Sequence, residues 1–232
     1  MSNIRDGLSL IAWNGSPDTL GALLDVPGVV IDRCHALYPA DDGGSHFLKF
    51  ASMEPLIHHS LFLGDIVAAM TDWIVQRKMD PTVIVAPDQL CTREIARALA
   101  LALDVSWALR EYLPSGRFGD RCVVGSIGKG DRALVFNGVS LQGRCVGRRL
   151  PEFAERFGAG IVGAAVFVKS RADAFEGVRK RFGGNFYAAV EIDAVPYTAQ
   201  TCPACRANGS SEPLRPWYEI VAEAAGGRSV RQ

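Results

Sequence analysis

Two patterns of hydrophobic positions alternate along this chain and predict its central elements. Continuous apolar runs, which are typical of strands buried in a parallel sheet, occur at residues 82–86, 133–136 and 160–168. Patterns typical of helices occur at residues 61–76, 92–103 and 144–157. Strands that alternate with helices of roughly ten to fifteen residues predict an α/β fold, in which helices flank a mostly parallel sheet.

Weaker patterns on either side of this region predict smaller elements. A helix that starts at Ser16-Pro17 and ends near residue 24 is expected to pack on the main body. Further strands are predicted at residues 29–32, 46–50, 104–109, 121–125 and 186–192, and a short helix at residues 216–225. We therefore divide the chain into an N-terminal extension and small hood (residues 1–60), a core (residues 61–195) and a C-terminal tail that carries a Cys-x-x-Cys motif and the short helix (residues 196–232).

Composition and charge exclude several classes of function. Acidic and basic residues balance at 25 each, so no net field attracts nucleic acid or an anionic membrane. No apolar run approaches the ~18 residues of a membrane span, and the N-terminus lacks the pattern of a signal peptide. Six cysteines among 232 residues do not indicate a disulfide framework. We expect a cytoplasmic protein whose partners include neither a membrane nor nucleic acid.

Residues 132–143 carry the most specific chemical signal. The apolar strand is expected to end at Asn137-Gly138, a pair that readily turns, and a small polar patch then precedes the helix at residue 144. A strand, a tight loop and a helix start present free backbone N–H groups to an anion, and the helix dipole adds positive potential. A phosphate is the predicted ligand, and an ordinary strand-to-helix turn is the alternative.

The same stretch resembles the phosphoribosyl pyrophosphate (PRPP) loop of type I phosphoribosyltransferases. That loop reads apolar-apolar-acid-acid-Val-x-x-x-Gly; here Val139 and Gly143 match it, whereas Asn137 and Gly138 stand in place of the two acids. The neighbouring segments resemble the orotate phosphoribosyltransferase branch, down to a tail with Cys202-Pro-Ala-Cys205. The resemblance implies transfer of a 5-phosphoribosyl group between PRPP and a nitrogenous base, an orotate-like pyrimidine or a specialised base. It also implies Mg²⁺ as cofactor and a homodimer.

The resemblance assigns roles to three groups of residues. The phosphate-binding residues would be Asn137, Gly138, Val139, Ser140, Leu141, Gln142 and Gly143. Asp88, Gln89 and Thr92, the last also a predicted helix cap, would belong to the loop that binds pyrophosphate. Arg110 at a strand end and Arg117 in a mobile catalytic loop (residues 112–120) would neutralise the departing pyrophosphate. The alternative for both arginines is an ordinary place on the solvated surface.

The departures from the family pattern bear directly on catalysis. Carboxylates at positions 137 and 138 would form charge-assisted hydrogen bonds to ribose hydroxyls, and Mg²⁺ prefers carboxylate and phosphate oxygens. Leu141 also replaces a hydroxyl residue that is expected to touch the phosphate. The loop can still bind a 5′-phosphate, but transfer does not follow automatically. The alternative function is a catalytically inactive module that binds a nucleotide or phosphoribose as a sensor or assembly subunit.

The histidines and cysteines suggest a second site. Cys202 and Cys205 form half of a zinc site, and Cys34, His35 and His46 are candidates to complete it. The alternative is a pair of reduced thiols in a turn made by Pro203. His58-His59 could transfer protons, but adjacent histidines at a helix entry more often cap the helix or face solvent.

Overall fold

A seven-stranded sheet forms the centre of the computed structural model, which describes residues 8–10, 17–38, 44–58, 60–113, 116–171, 173–207 and 213–224. Its strands lie in the order β1-β9-β8-β7-β4-β5-β6. The bounds are β1 (Leu8–Leu10), β4 (Val83–Pro87), β5 (Ser106–Tyr112), β6 (Phe118–Val124), β7 (Arg132–Ser140), β8 (Gly160–Ser170) and β9 (Phe186–Ile192). The five strands from β9 to β5 are parallel, and β1 and β6 pair antiparallel at the two edges. The predicted α/β fold with a mostly parallel sheet is confirmed.

Helices cover both faces of this sheet. The faces are covered by α2 (Ser60–Gln76) and α3 (Leu90–Leu103) on one side and by α4 (Leu150–Arg156) and α5 (Glu176–Phe182) on the other. A π-helical turn (Cys145–Arg149) leads into α4, and the other α-helices of the described residues are α1 (Pro17–Leu24), α6 (Pro203–Arg206) and α7 (Trp217–Ala224). Side chains alternate along each strand, so Ile84 packs in the same cluster as α2 and α3, and Val83 and Val85 pack with α4 and α5. Burial on both faces explains why the central strands are continuous apolar runs. None of the helices in the described parts of the chain could cross a membrane.

A second sheet forms the hood. It contains β2 (Val30–Tyr38), β3 (Ser45–Ala51) and β10 (Arg215–Pro216), in the order β10-β2-β3. Strands β2 and β3 pair antiparallel, and the C-terminal tail returns to add β10 parallel to β2. Ile220 and Val221 of α7 are buried in the same core cluster as the hood residues Phe47 and Phe50. The N-terminal strand β1 joins the main sheet and not the hood. The division of the chain into three parts at residues 60 and 195 stays a prediction from sequence.

The structure corrects three local predictions. Strand β7 continues through Asn137-Gly138 to Ser140, because β8 pairs with it over this whole length; the predicted turn is wrong. Helix α3 begins at Leu90, so Thr92 lies inside its first turn and does not cap it. Much of the predicted catalytic loop forms the ends of the β5–β6 hairpin, with residues 114 and 115 outside the described residues. His59 also lies outside them.

Candidate active site

A narrow cleft lies between the hood and the carboxyl ends of β4, β5 and β7. In parallel α/β sheets this edge is where ligands bind. Four aromatic side chains line it: Tyr38 and Phe50 from the hood, Tyr112 from the end of β5, and Trp217 from the start of α7. Trp217 stacks on Phe50, with ring centroids 5.6 Å apart and planes 23° apart. The C-terminal tail therefore forms part of the cleft.

The structure brings most of the predicted phosphate segment to this cleft. Asn137, Gly138, Val139 and Leu141 line it. Because β7 runs to Ser140, the actual loop is only residues 141–143, and Gly143 has a φ of 69°, which favours glycine. The Leu141 carbonyl accepts a hydrogen bond from Ser170 Oγ at 2.5 Å, and the Gln142 side chain donates to Ser45 Oγ at 2.6 Å. These contacts hold the loop between the sheet and the hood.

Two polar atoms in the cleft wall are buried without a hydrogen-bond partner among the described residues. Asn137 donates from Nδ2 to the Val139 carbonyl at 3.0 Å, but its Oδ1 has no donor. Trp217 Nε1 has no acceptor. An unsatisfied buried polar atom costs about 1–3 kcal/mol, so such atoms mark places where a ligand could bind. Asn137 Oδ1 is thus an unused acceptor, and Trp217 Nε1, which lies against Gly116, is an unused donor.

Gly138 sits where a side chain would collide with its surroundings. A Cβ at this position would lie 2.6 Å from Met53 Sδ and 3.2 Å from Thr92 Oγ1. Met53 thus occupies the space into which a residue larger than glycine would project. The cavity that remains in the cleft has a volume of about 60 Å³, whereas small-molecule pockets usually measure roughly 300–1,000 Å³. A nucleotide would require movement of Met53 or of the roof of the cleft, which the hood and α7 form.

The predicted pyrophosphate residues divide between the cleft and its surroundings. Gln89 and Thr92 line the cleft at the N-terminus of α3. Asp88 does not, because its carboxylate pairs with Arg93, with Nη2 and Oδ1 2.7 Å apart. The first N–H groups of α3 have no partners inside the helix and lie beside Gln89 and Thr92. This end of the cleft therefore offers backbone donors rather than charged side chains.

Arg110 and Arg117 do not line the cleft. Both line a second pocket of about 310 Å³, together with Arg148, Arg149 and Arg156. The Arg110 guanidinium donates hydrogen bonds to the carbonyls of Gly119 and Arg149. It also lies 5.0 Å from the centroid of the ring of Phe153, a residue of α4. Leu109 packs in the cluster of α2 and α3, so alternation along β5 turns Arg110 towards α4. The expectation that both arginines face the same ligand as residues 137–143 is not met in this arrangement.

Burial disfavours charge throughout the cleft. Burial raises the pKa of Glu54, and it raises the pKa of the Cys91 thiol to about 12. Burial also raises the pKa values of Tyr38, Tyr112 and Cys145. Among the described residues that line the cleft there is no lysine or arginine. The negative charge of a phosphate bound here would be stabilised by backbone N–H groups and helix dipoles.

Glu54→Gln is expected to raise the thermal unfolding midpoint at pH 7. A carboxyl group with a raised folded-state pKa binds more protons in the folded state, so stability falls as pH rises through the interval between its ordinary and folded values. The glutamine variant does not lose this stability. Its advantage over wild type should therefore disappear as the pH falls below the ordinary glutamate pKa, which calorimetric scans between pH 4 and 7 would show. An advantage that is equal at both ends of the pH range would contradict this interpretation.

The predicted metal ligands cluster elsewhere, where the C-terminal tail meets the hood. His35, His46, Cys202 and Cys205 bring their ligand atoms within 4.8 Å of one another. Cys34 is not part of this group, because its thiol lies near the carbonyls of Ile31 and Phe47 at 3.8 and 3.9 Å. Of the three candidate ligands in the hood, His35 and His46 join the two cysteines, and the prediction of Cys34 is wrong.

Comparison with solved structures identifies the fold. The chain is similar to the UMP synthase of Leishmania donovani (TM-score 0.53, 20% identity, 74% of this chain and 35% of that chain). It is also similar to the adenine phosphoribosyltransferase of Leishmania tarentolae (0.52, 16%, 79% and 94%) and the orotate phosphoribosyltransferase of Aeropyrum pernix (0.52, 17%, 74% and 92%). This chain has a phosphoribosyltransferase fold. It spans about a third of the UMP synthase chain that it matches.

The likeness in fold extends equally to adenine and orotate enzymes. The matches to both have the same TM-score, so the fold does not select the orotate branch. A scan against protein-family models and a search of the curated proteins gave no match. What a phosphoribosyltransferase-fold chain of this kind binds must therefore be argued from its own cleft.

The cleft does not fit a magnesium ion held by protein carboxylates. Mg²⁺ prefers carboxylate and phosphate oxygens. Position 137 offers an amide and position 138 no side chain, and Glu54 is the one carboxylate among the described lining residues. Burial raises the pKa of that carboxyl group and favours its neutral form. We therefore derive no chemical step through magnesium.

Proposed function

We propose that the cleft binds a 5-phosphoribosyl group together with a nitrogenous base, and that the chain transfers this group between PRPP and the base. The observation that carries the proposal is the cleft itself. It lies at the carboxyl edge of a phosphoribosyltransferase-type sheet, with an unpaired acceptor on Asn137 and an unpaired donor on Trp217 between aromatic walls. Orotate-like pyrimidines are the first bases to test, by resemblance to the orotate branch.

The base is proposed to lie between the hood and β7. Aromatic rings there can stack on any base, and such stacking contributes about 1–3 kcal/mol per base. Asn137 Oδ1 can accept from a ring N–H or amino group, and Trp217 Nε1 can donate to a carbonyl or ring nitrogen. A base placed between these two atoms would give each of them a hydrogen-bond partner.

The phosphates are proposed to lie on main-chain donors. The N–H groups of residues 141–143 and of the helical segment that follows would hold the 5′-phosphate. The N-terminus of α3, with Gln89 and Thr92, would hold the pyrophosphate. Arg110 and Arg117 face the second pocket, and we do not include them in the proposed site. A homodimer and a cytoplasmic location are proposed on the resemblance alone, and sedimentation of the purified chain tests the first.

The second candidate function is binding without transfer. Three observations favour it: position 138 has no room for an acid beside Met53, position 137 carries no charge, and the described cleft walls contain no basic side chain. A chain with such a site would bind a nucleotide or phosphoribose as a sensor or an assembly subunit. It would need no magnesium.

Calorimetric titration and an assay of pyrophosphate release distinguish the two functions. PRPP and the 5′-monophosphates of uridine, orotidine and adenosine are titrated with and without Mg²⁺, and release is measured over a panel of bases. Transfer predicts release with at least one base. Binding without release assigns the sensor function instead. If neither PRPP nor any monophosphate binds, both candidate functions fail.

Restoring the two acids is expected to create magnesium-dependent binding of PRPP. In the variant Asn137→Asp, Gly138→Asp and Met53→Ala, the last change clears the space that Met53 Sδ occupies. Hydrogen bonds to charged groups contribute about 1.5–3 kcal/mol, so we expect Mg²⁺ to raise its PRPP affinity at least tenfold. The matched control is Met53→Ala alone, whose affinity should respond little to Mg²⁺. Equal responses in the two variants would show that the missing acids do not limit magnesium recruitment.

A further inference from the structure

We propose that His35, His46, Cys202 and Cys205 bind one Zn²⁺ ion, and that this ion fastens the C-terminal tail to the hood. An effect of this ion on ligand binding in the cleft rests on the proposed function. His35 lies on β2 and His46 on β3, whereas the two cysteines flank the start of α6. The four side chains thus join strands of the hood to a segment more than 150 residues away in sequence.

Four of the six separations between the ligand atoms are close to those of a tetrahedral zinc site, and all six are within 4.8 Å. Zn–N and Zn–S bonds of about 2.0 and 2.3 Å in tetrahedral geometry place ligand atoms about 3.3–3.8 Å apart. His35 Nε2 lies 3.2 Å from His46 Nδ1 and 3.5 Å from each of the two sulfur atoms. His46 Nδ1 lies 3.2 Å from Cys205 Sγ. Two thiolates and two imidazoles form a donor set that zinc prefers.

Hydrogen bonding alone explains this arrangement poorly. His35 Nε2 has three close neighbours, yet one ring nitrogen carries either one hydrogen or one lone pair. His46 Nδ1 has the same limit and two close neighbours. A cation at the centre satisfies all four groups at once. With four protein ligands and no open position, the ion would be structural and not catalytic.

Local structure prepares the site. Arg33 has a φ of 54° at the irregularity in the pairing of β2 with β3, and the next three residues, Cys34, His35 and Ala36, are all buried. His35 and His46 are each 5% exposed and Cys202 is fully buried, whereas Cys205 is exposed and gives the ion a path of entry. The backbone of His46 exchanges two hydrogen bonds of 2.9 Å with Tyr197, which places the tail beside the hood.

The tail that the metal would fasten also forms a wall of the cleft. Beyond α6 it continues to β10 and α7, where Trp217 lines the cleft and lies against Gly116 of the β5–β6 hairpin. Loss of the ion should therefore loosen α7 and Trp217 as well as residues 196–207. The metal would affect nucleotide binding only because it holds α7 and Trp217 in place over the cleft.

Metal analysis of the purified full-length chain tests the site. We expect one zinc per chain in wild type and less than about a fifth of that in Cys202→Ser and His46→Ala. Cys122→Ser, which alters a half-buried thiol on β6 outside the cluster, is the matched control and should keep full zinc. Cobalt substitution should give wild type the visible absorption bands of a tetrahedral site with thiolate ligands. A wild type without zinc and without cobalt bands after metal reconstitution, or full zinc in Cys202→Ser, overturns the proposal.

Hydrogen exchange tests the fastening without any nucleotide, so it can fail independently of the proposed function. On removal of zinc by a chelator, we expect amide exchange to accelerate about tenfold or more in residues 196–207 and 213–224 and to change little in β7 and β8. Addition of zinc should restore the protection. Unchanged exchange in residues 196–207 and 213–224 rejects the fastening role, and exchange that rises equally in β7 and β8 does so too.

Discussion

Trp217→Ala is expected to weaken binding of nucleoside 5′-monophosphates by about 5- to 150-fold, the range that corresponds to about 1–3 kcal/mol of stacking. Trp217 is proposed to contribute both its ring and its unpaired Nε1 donor to the base. Its contacts with Phe50 and Tyr38 fix the ring before the ligand arrives, with centroids 5.6 and 5.7 Å away. Calorimetric titration of wild type and variant with the same nucleotides measures the change.

Two further variants distinguish the loss of a contact between Trp217 and the ligand from a disturbance of the fold of α7. Tyr218→Ala removes the neighbouring ring on the same helix, which is 39% exposed and does not line the cleft, so its affinity should stay within about twofold of wild type. Trp217→Phe keeps an aromatic face but lacks the N–H donor and should fall between wild type and alanine. Equal losses in Tyr218→Ala and Trp217→Ala would place the effect in the fold of α7 and not in the ligand contact.

The sequence predicted the sheet well because local and tertiary signals agree there. Residues 82–86 and 160–168 are apolar on both faces, and the structure packs a layer of helices on each face of β4 and β8. The hood strand β3 was predicted close to its observed bounds, whereas β2 continues six residues beyond the predicted end at residue 32. The edge strand β1 and the helix α5 were missed, since three residues and seven residues carry too little periodic signal.

The site was predicted in part, because contacts between distant segments are invisible in a single sequence. Asn137-Gly138 favours a turn locally, but pairing of β7 with β8 overrides that preference. Nothing local indicates that Met53 fills the space above Gly138 or that Trp217 returns over the cleft. The direction of the Arg110 side chain could have been predicted from the sequence. Leu109 before it is apolar, and side chains alternate between the two faces along a strand.

The metal ligands show the same limit. Alternation along an ideal β2 would put Cys34 and His35 on opposite faces and leave the choice between them open. The irregularity near Arg33 buries both, and only the tertiary structure shows that the Cys34 thiol faces the backbone of β3 while His35 faces the tail. The sequence named all four members of the cluster as candidates, and the structure removes only Cys34 from the set.

Glu191→Leu is expected to lower the free energy of unfolding by about 3–5 kcal/mol, the usual effect of removing one partner from a buried ion pair. Lys169 is 2% exposed, and its ammonium group donates to Glu191 Oε2 and to the Ser170 carbonyl, the latter at 3.2 Å. Without Glu191 a buried charge would remain uncompensated. Denaturation with urea at pH 7 measures the loss. Glu176→Gln, which breaks an exposed pair with Lys180, is the control and should change stability by less than about 1 kcal/mol.

The pH dependence of this loss identifies its cause. Burial lowers the pKa of Lys169, and Glu191 opposes that shift. In Glu191→Leu the folded state should therefore release the lysine proton at a lower pH than the unfolded state does. Between those two values the unfolded state binds more protons, so the stability of the variant should rise with pH towards the ordinary lysine value. A loss that is constant from pH 7 to 10 would point to lost packing and not to an unpaired charge.

The double variant Lys169→Met and Glu191→Leu completes the cycle and connects the pair to the cleft. Replacing both partners with apolar residues should recover most of the stability, since buried pairs often contribute little beyond a hydrophobic substitute. Lys169 pairs in register with Ser140, and the adjacent Ser170 hydroxyl donates to the Leu141 carbonyl. If the double variant regains stability but binds nucleotides less well than wild type, the ion pair positions residues 140–143 for the phosphate. If the double variant has both the stability and the nucleotide affinity of wild type, the ion pair contributes to the fold alone.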